Sequence, residues 1–365
     1  MEILLASPRG FCAGVRRAVD SLKKAVVCFK APIYVYNEIV HNRHVVASFA
    51  EQVIFVRNVE DVPYGATLMY SAHGVSPAVR GLAASRHLRT IDATCPIVMR
   101  LHQEARRFAS TGYHLLLIGH RGHDEIVGVQ GEASGAITVV STPEEAEQVM
   151  VPDPNRVVWL TQTTLQMETV DRIVERLSRR FPKIVGPHSS FSPEKKDSNA
   201  SNGDVSNICD RTGNICYATQ NRQEVIRRFA PMVERVIVVG SANSSNSRRL
   251  AEIALKSGTL AYLVDDANAL KKEWFQSVLP TKTFEEDEWR RDTRCCEAVE
   301  RRGERSTVVS KVLLTAGASA PERLVEECIA WFQTHYAAQV RSAIYCEETT
   351  RFSLPKELND ENLPS

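Results

Sequence analysis

The sequence predicts an α/β protein made of three similar α/β domains with small parallel sheets arranged around a common centre. Short apolar runs alternate with segments of helical periodicity along most of the chain, which is typical of parallel sheets covered by helices. A weak repeat adds to this, because three of the apolar runs end in similar polar turns, at 71–74, 119–120 and 240–241. Such repetition indicates three related units rather than one large sheet.

The predicted elements follow this alternation from one end of the chain to the other. Strands are predicted at 3–6, 33–36, 53–56, 67–71, 115–119, 137–140, 157–161, 236–240, 261–264 and 312–315. Helices are predicted at 15–25, 78–88, 98–110, 165–181, 223–233, 247–256 and 321–335. We expect domains at 1–96, 97–187 and 215–336, a disordered-type insertion at 188–214, a charged insertion at 281–310 and a C-terminal tail at 337–365.

Composition excludes several functional classes. The 365 residues carry 45 Lys and Arg against 44 Asp and Glu, so the net charge of +1 does not favour a nucleic-acid partner. No apolar run has the length that a membrane span needs. Nine cysteines without a secretory signal predict reduced thiols in the cytoplasm.

Three of the cysteines each precede a helical segment. Cys12 lies between Gly10 and Gly14 on a predicted strand-to-helix turn. Cys95 lies near the end of the segment TIDATCP at 90–96, and Cys216 lies in the segment NICYAT at 214–219. If they converge, they could bind metal. Structural zinc usually takes four ligands, often from Cys-x-x-Cys pairs that this chain lacks, whereas three separated thiolates suit an iron-sulfur cluster with one open iron. Three unrelated buried cysteines remain the alternative.

Histidines and a carboxyl group follow predicted strands. His41, His73 and His123 all lie in such loops, so we expect them to share a pocket. Glu125 stands two residues beyond His123. In a pocket poor in water its pKa would rise, and it could donate a proton; the alternative is an exposed surface glutamate.

A phosphate site is predicted where the run 240–247, rich in Ser and Asn, precedes a helix. Free backbone N–H groups and hydroxyls at a helix start bind anions, and 161–164 and 317–321 occupy the same context. The run lacks the glycine pattern of nucleotide-binding loops, so a nucleotide is not indicated. The alternative is a helix cap without a ligand.

Taken together, the sequence resembles the LytB family of 4-hydroxy-3-methylbut-2-enyl diphosphate reductases, and the matching motifs cover most of the chain in order. They are PRGFCAGV at 8–15, HNR at 41–43, SAHGVS at 71–76, DATCP at 92–96, TQTTL at 161–165, FPKIVGP at 181–187, ICYAT at 215–219, NSSNS at 243–247 and TAGASAP at 315–321.

The resemblance implies a central [4Fe-4S] cluster held by Cys12, Cys95 and Cys216, with one iron left open. It also implies that Glu125 is the proton donor. The implied contacts to the substrate diphosphate are His41, His73, His123, Thr163, Ser244, Ser245, Asn246 and Ser319.

The implied activity removes the allylic hydroxyl of the substrate with two electrons and protons, giving isopentenyl and dimethylallyl diphosphate. A ferredoxin or flavodoxin-like protein would donate the electrons, and a monomer would suffice. Two other classes remain open at this point. A cluster-dependent hydro-lyase would need no electron donor, and a non-catalytic iron-sulfur sensor would not need the diphosphate contacts.

Two insertions depart from the family pattern. The first, 188–214, contains Cys209, but Cys216 leads into a helix and matches the family motif, so we favour Cys216 as the ligand. The second, 281–310, carries Cys295 and Cys296, which we interpret as incidental.

Overall fold

Three parallel sheets form the framework of the molecule. The structure, a computed structural model, describes residues 1–187, 213–276 and 308–359. The sheets have five, four and three strands, and every pairing between their strands is parallel. The predicted fold class is therefore confirmed. Most of the two insertions, with Cys209, Cys295 and Cys296, lies outside the described residues.

The five-stranded sheet joins both ends of the chain. Its strands are β1 (Glu2–Ser7), β9 (Arg235–Val239), β10 (Leu260–Val264), β11 (Lys311–Ala316) and β12 (Gln339–Ile344), in the order β10-β9-β11-β1-β12. Val236 and Val238 pack into one core, and Ile237 and Val239 into another. Side chains alternate between the faces of a strand, so a sheet covered on both faces explains the continuous apolar runs.

The two smaller sheets carry the middle of the chain. The four-stranded sheet contains β2 (Ile33–Tyr36), β3 (Val53–Val56), β4 (Thr67–Tyr70) and β5 (Arg89–Asp92), in the order β3-β2-β4-β5. The three-stranded sheet contains β6 (His114–Ile118), β7 (Ile137–Val140) and β8 (Val157–Thr161), in the order β7-β6-β8.

Helices connect the strands and bury their apolar faces against the sheets. They are α1 (Ala13–Cys28), α2 (Arg43–Ala47), α3 (Pro77–Ser85), α4 (Pro96–Ser110), α5 (Asp124–Gln130), α6 (Pro143–Gln148), α7 (Met167–Arg180), α8 (Tyr217–Phe229), α9 (Ser245–Lys256) and α10 (Glu322–Tyr336). Among the described residues, no helix is both long and apolar enough to cross a membrane.

The strands of the five-stranded sheet do not come from one consecutive stretch of the chain. The predicted division put β1 in a first domain, 1–96, and β12 in a tail, 337–365, but both strands pair with each other in the sheet that also contains β11. Prediction missed β12 because five of its six residues are exposed, as suits the edge of a sheet. It missed β5 because Arg89 and Asp92 interrupt the apolar pattern. Helix α8 also begins earlier than the predicted 223, directly after Cys216.

Candidate active site

Three cysteines, each at the start of a long helix, lie in one apolar cluster. Cys12, Cys95 and Cys216 are the N-cap residues of α1, α4 and α8. Their side chains pack together with Ile97, Tyr217, Ala218 and Phe352. The structure therefore brings together the three cysteines that the sequence singled out, although they are far apart along the chain.

Gly14 makes room for this convergence. A Cβ atom at residue 14 would lie 2.4 Å from the sulfur of Cys95 and 4.0 Å from that of Cys12. A real side chain cannot approach a sulfur atom so closely, and hence only glycine fits at this position. The result is a cradle of thiols closed on one side by backbone, which suits a group bound by sulfur.

The surroundings of Cys95 and Cys216 oppose the ionisation of these two thiols when no cation is bound. Burial raises the pKa of Cys95 to about 12, and the charge of the neighbouring Cys12 acts in the same direction. Burial and Cys12 also raise the pKa of Cys216, although the Thr219 hydroxyl, 3.1 Å from the sulfur, opposes the shift. A metal bound as thiolates would offset this cost, because its positive charge stabilises the deprotonated sulfurs.

Each cysteine loop is hydrogen-bonded to a different polar loop. The backbone N–H of Cys12 donates to Ala318 at 3.2 Å, that of Cys95 to Ala72 at 3.0 Å, and that of Cys216 to Thr163 at 3.0 Å. Ala318 and Ala72 directly precede Ser319 and His73. The backbone thus couples the position of every thiol to a residue predicted to contact the diphosphate.

Three histidines form a compact cluster. The rings of His41 and His73 stack with centroids 4.0 Å apart, and His123 stands edge-on to both at 5.2 and 5.7 Å. Burial, reinforced by the other two histidines, lowers the pKa of His73 well below its usual value. Burial lowers the pKa of His123 to about 3, and His41 adds to the effect. His73 and His123 are therefore neutral near pH 7, and anion binding would favour their protonation.

Two acidic residues that were not predicted as part of the site, Asp124 and Glu38, lie beside the histidine cluster. Asp124 Oδ2 is 3.9 Å from His41 Nε2 and from His73 Nδ1, and Glu38 accepts a 3.1 Å hydrogen bond from His41 Nδ1. Burial raises the pKa of Asp124. Ligand atoms of His41, His73 and Asp124 all fall within 4.8 Å of one another, so these side chains could also hold a metal ion. In the sequence, Asp124 looks like any acidic residue in the first turn of a helix.

Glu125 is a buried carboxyl group with two donors from one residue. Thr163 donates its backbone N–H to Oε1 at 2.7 Å and its hydroxyl to Oε2 at 2.8 Å. Burial raises the pKa of Glu125 to about 7, against the opposing effect of these bonds and of His41. A carboxyl group with this pKa holds a proton near neutral pH and can release it, which is what a general acid requires.

Three serine side chains lie next to the histidine cluster. Ser319 Oγ donates to the His41 carbonyl at 2.9 Å and lies 3.2 Å from Ser244 Oγ. Ser245 begins α9, and its hydroxyl donates to the carbonyl of Thr164 at 3.3 Å. The arrangement places hydroxyls and a helix start beside the histidine cluster, where an anion would be favoured.

The side-chain amide of Asn246 has a hydrogen bond at its oxygen but none at its nitrogen among the described residues. Its Oδ1 accepts a 2.9 Å hydrogen bond from the N–H of Ala318. Its Nδ2 is buried without a hydrogen-bond partner among the described residues. A buried donor without a partner is costly, so it suits a site in which a ligand supplies the acceptor.

Comparison with known proteins adds independent information. A family model described as LytB protein matches residues 3–333. The chain is 45% identical over 362 residues to the 4-hydroxy-3-methylbut-2-enyl diphosphate reductase of Acidothermus cellulolyticus, covering 99% of this chain and 91% of that protein. It is 40% identical over 359 residues to the protein of the same name from Rhodopirellula baltica, covering 98% and 96%.

Solved structures agree in fold. The E-1-hydroxy-2-methyl-but-2-enyl-4-diphosphate reductase of Plasmodium falciparum superposes with a TM-score of 0.79 at 29% identity, covering 98% of this chain and 96% of that one. A structure of (E)-4-hydroxy-3-methyl-but-2-enyl diphosphate reductase, described as the terminal enzyme of the non-mevalonate pathway, gives a TM-score of 0.56 at 26% identity, covering 92% and 100%.

Proposed function

The chain belongs to the LytB protein family, and from this premise we propose that it is a 4-hydroxy-3-methylbut-2-enyl diphosphate reductase, as its relatives are named. The reaction removes the allylic hydroxyl with two electrons and two protons, releases water, and yields isopentenyl and dimethylallyl diphosphate. This step ends the non-mevalonate route to isoprenoids. The hydro-lyase and sensor alternatives are not favoured by the names of the relatives.

One observation carries the proposal: Thr163 links the proposed proton donor to a cysteine. Its N–H donates to Glu125 Oε1 at 2.7 Å, and its carbonyl accepts a 3.0 Å hydrogen bond from the N–H of Cys216. A reduction that also consumes protons needs such proximity, because the proton must reach the substrate where the electrons arrive.

Cys12, Cys95 and Cys216 are the residues we propose as ligands of a [4Fe-4S] cluster with one open iron. The fit is supported by the partly buried all-sulfur donor set and by the cradle at Gly14, which a Cβ atom would fill. When bound, such a cluster supplies electrons singly and a Lewis-acidic iron.

The substrate's diphosphate would bind to the histidines and to the polar residues beside them. Neutral donors orient the anion, and the unpaired Nδ2 of Asn246 gains an acceptor on binding. The remaining proposed contacts are His41, His73, His123, Thr163, Ser244, Ser245 and Ser319. Glu125, fixed at both oxygens by Thr163, holds the proton for the departing hydroxyl.

The proposal also covers the electron donor, the cellular location and the oligomeric state. Electrons would come from a ferredoxin or flavodoxin-like protein, and three thiols that must stay reduced suit the cytoplasm. All proposed site residues come from one chain, so a monomer would be sufficient.

Mössbauer spectroscopy of the anaerobically reconstituted protein tests the proposal, since it reports the ligands of each iron separately. We expect one iron to differ from the other three and to respond to the hydroxylated diphosphate. Absence of iron, or equivalent irons that do not respond to the substrate, would contradict the catalytic cluster. Turnover with a chemical reductant then tests the reaction itself.

A further inference from the structure

The segment that follows β12 crosses the cysteine cluster. We propose that residues 345–358, the C-terminal strap, hold the three cysteine loops in their relative positions and cover the thiols, with Arg222 and Arg17 as the positioning residues that connect strap and loops. The inference rests on the proposed function for the identity of the metal centre, but the contacts that carry it belong to the chain itself.

Both ends of the strap are fixed. At its beginning, the N–H of Tyr345 donates to the carbonyl of Ser7 at 2.9 Å. At its end, Leu358 is fully buried in the core that packs α1 against the four-stranded sheet. A segment anchored at both ends cannot swing away as a free tail could, so the residues between the anchors stay over the cluster.

Arg222 connects the strap to two cysteine loops. Its side chain is completely buried, and its guanidinium lies 2.9 Å from Oε1 and 3.2 Å from Oε2 of Glu348. The same guanidinium donates to the carbonyl of Gly10, two residues before Cys12, and to that of Ala218, in the first turn of its own helix α8, which begins directly after Cys216; both distances are 2.8 Å. A guanidinium out of water needs its charge partner, so removing the Glu348 charge should loosen both loops.

Arg17 makes the corresponding connection to the third loop. Its Nη1 donates to the carbonyl of Thr94, the residue before Cys95, at 2.8 Å. Its Nε donates to the carbonyl of Ser353, in the strap, at 2.7 Å. Together the two arginines join all three cysteine loops to one segment.

Phe352 closes the apolar cluster between these connections. It packs against the same buried residues as the three cysteines do, namely Ile97, Tyr217 and Ala218. Burial raises the pKa of Tyr217, and the side chain of Thr350 in the strap opposes this shift. An apolar cover of this kind limits the access of water and oxygen to sulfur, and solvent access is one of the quantities that set the behaviour of an iron-sulfur centre.

Two strap variants test the inference against a matched control. Glu348→Gln removes the charge partner of Arg222 with little change of shape, and Phe352→Ala removes the apolar cover. Glu347→Gln makes the same chemical change as the first variant at the adjacent, exposed position.

The first measurement is the rate at which each cysteine of the full-length, metal-free protein reacts with a thiol reagent, read by mass spectrometry. We expect Cys12, Cys95 and Cys216 to react at least about ten-fold faster in both strap variants, equivalent to about 1.4 kcal/mol of easier opening. Cys328 is fully buried in a core of the five-stranded sheet, so its rate reports global unfolding.

The outcome is decided by the reaction rate of each of the three cysteines divided by the rate of Cys328. If the three cysteines gain no reactivity relative to Cys328 in either strap variant, or if Glu347→Gln has the same effect, the strap has no positioning role. Should one strap variant fail to fold, the other gives the same comparison.

A second measurement separates this inference from the proposed function. In the reconstituted full-length protein, both strap variants should lose iron to a chelator faster than the Glu347→Gln control. A protein that takes up no iron would contradict the proposed cluster, whereas the thiol reactivities would still decide whether the strap positions the loops.

Discussion

Thr163 and Glu125 are joined by two hydrogen bonds, 2.7 and 2.8 Å long, that fix both oxygens of the carboxyl group. Donated hydrogen bonds favour the charged carboxylate, and burial favours the neutral acid. Burial is the stronger effect here, because the pKa of Glu125 rises to about 7. The carboxyl group is therefore fixed in orientation and still protonated for much of the time at neutral pH.

Replacing Glu125 by Gln should reduce kcat with little change in substrate affinity. The amide keeps the size of the side chain but has no acidic proton, and general acid catalysis contributes about 10²- to 10⁴-fold to a rate. Steady-state kinetics with a chemical reductant measures this effect, and Glu144→Gln, at an exposed position, is the control. An unchanged kcat would remove Glu125 from the mechanism.

The stability contribution of Glu125 should depend on pH. Its folded-state pKa of about 7 lies above the ordinary value of 4.5, so folding favours the protonated form. The contribution is fully present below pH 4.5 and is lost as the pH rises to about 7. At 1.36 kcal/mol per pKa unit, the loss is about 3 kcal/mol.

Unfolding of the metal-free protein and of Glu125→Gln, compared across this pH range, measures that loss. The variant has no carboxyl group at this position, so we expect it to gain stability relative to the parent as the pH rises. A stability difference that stays constant with pH would show that the pKa of Glu125 is not raised.

Replacing Gly14 by Ala should abolish iron binding while the chain still folds. The added Cβ would lie 2.4 Å from the sulfur of Cys95 and would displace it from the other thiols. Gly81→Ala in α3 is the matched control, because nothing lies within 4 Å of a Cβ there and a helical alanine is favourable by about 0.5 to 1 kcal/mol. Iron content after reconstitution measures the effect, and normal loading of Gly14→Ala would contradict the role of this cradle.

Replacing Asn246 by Asp should weaken the binding of inorganic diphosphate. The new carboxylate can still accept the hydrogen bond from Ala318, but it presents a negative charge where the unpaired Nδ2 stood. Losing a hydrogen bond to a charged group costs about 1.5 to 3 kcal/mol, so affinity should fall by at least about ten-fold.

Calorimetric titration with inorganic diphosphate measures this change, and Asn359→Asp at an exposed position is the control. Equal affinity of the Asn246→Asp variant and the parent would mean that the anion binds elsewhere.

The parts of the fold that sequence predicted are those with strong local patterns. The strands at 33–36, 53–56, 137–140 and 157–161 have the predicted bounds, because β-branched, aliphatic and aromatic residues fill each strand from end to end. The edge strand β12 was missed because exposed polar residues carry no such pattern. Its position is set by pairing with β1 at the other end of the chain, which local sequence does not contain.

In the candidate site too, the features with a local sequence pattern could be predicted, and those that depend on contacts between distant segments could not. Cys12, Cys95 and Cys216 could be singled out because each precedes a helix, and the resemblance to a family supplied the predicted substrate contacts. The link between Arg222 and Glu348 could not be predicted, since the two residues are 126 positions apart and neither stands in a motif that the sequence analysis used. Such pairs depend on which distant segments become neighbours after folding.

The central place of β1 sets the order in which the protein can be completed during synthesis. β1 precedes the other described strands in the sequence, but both of its hydrogen-bonded neighbours, β11 and β12, follow all the others. The N–H of Cys12 likewise donates to the carbonyl of Ala318, which lies beyond β11. The proposed cradle is therefore incomplete in a nascent chain until Ala318 has been synthesised, and we expect the proposed iron centre to form only after that point.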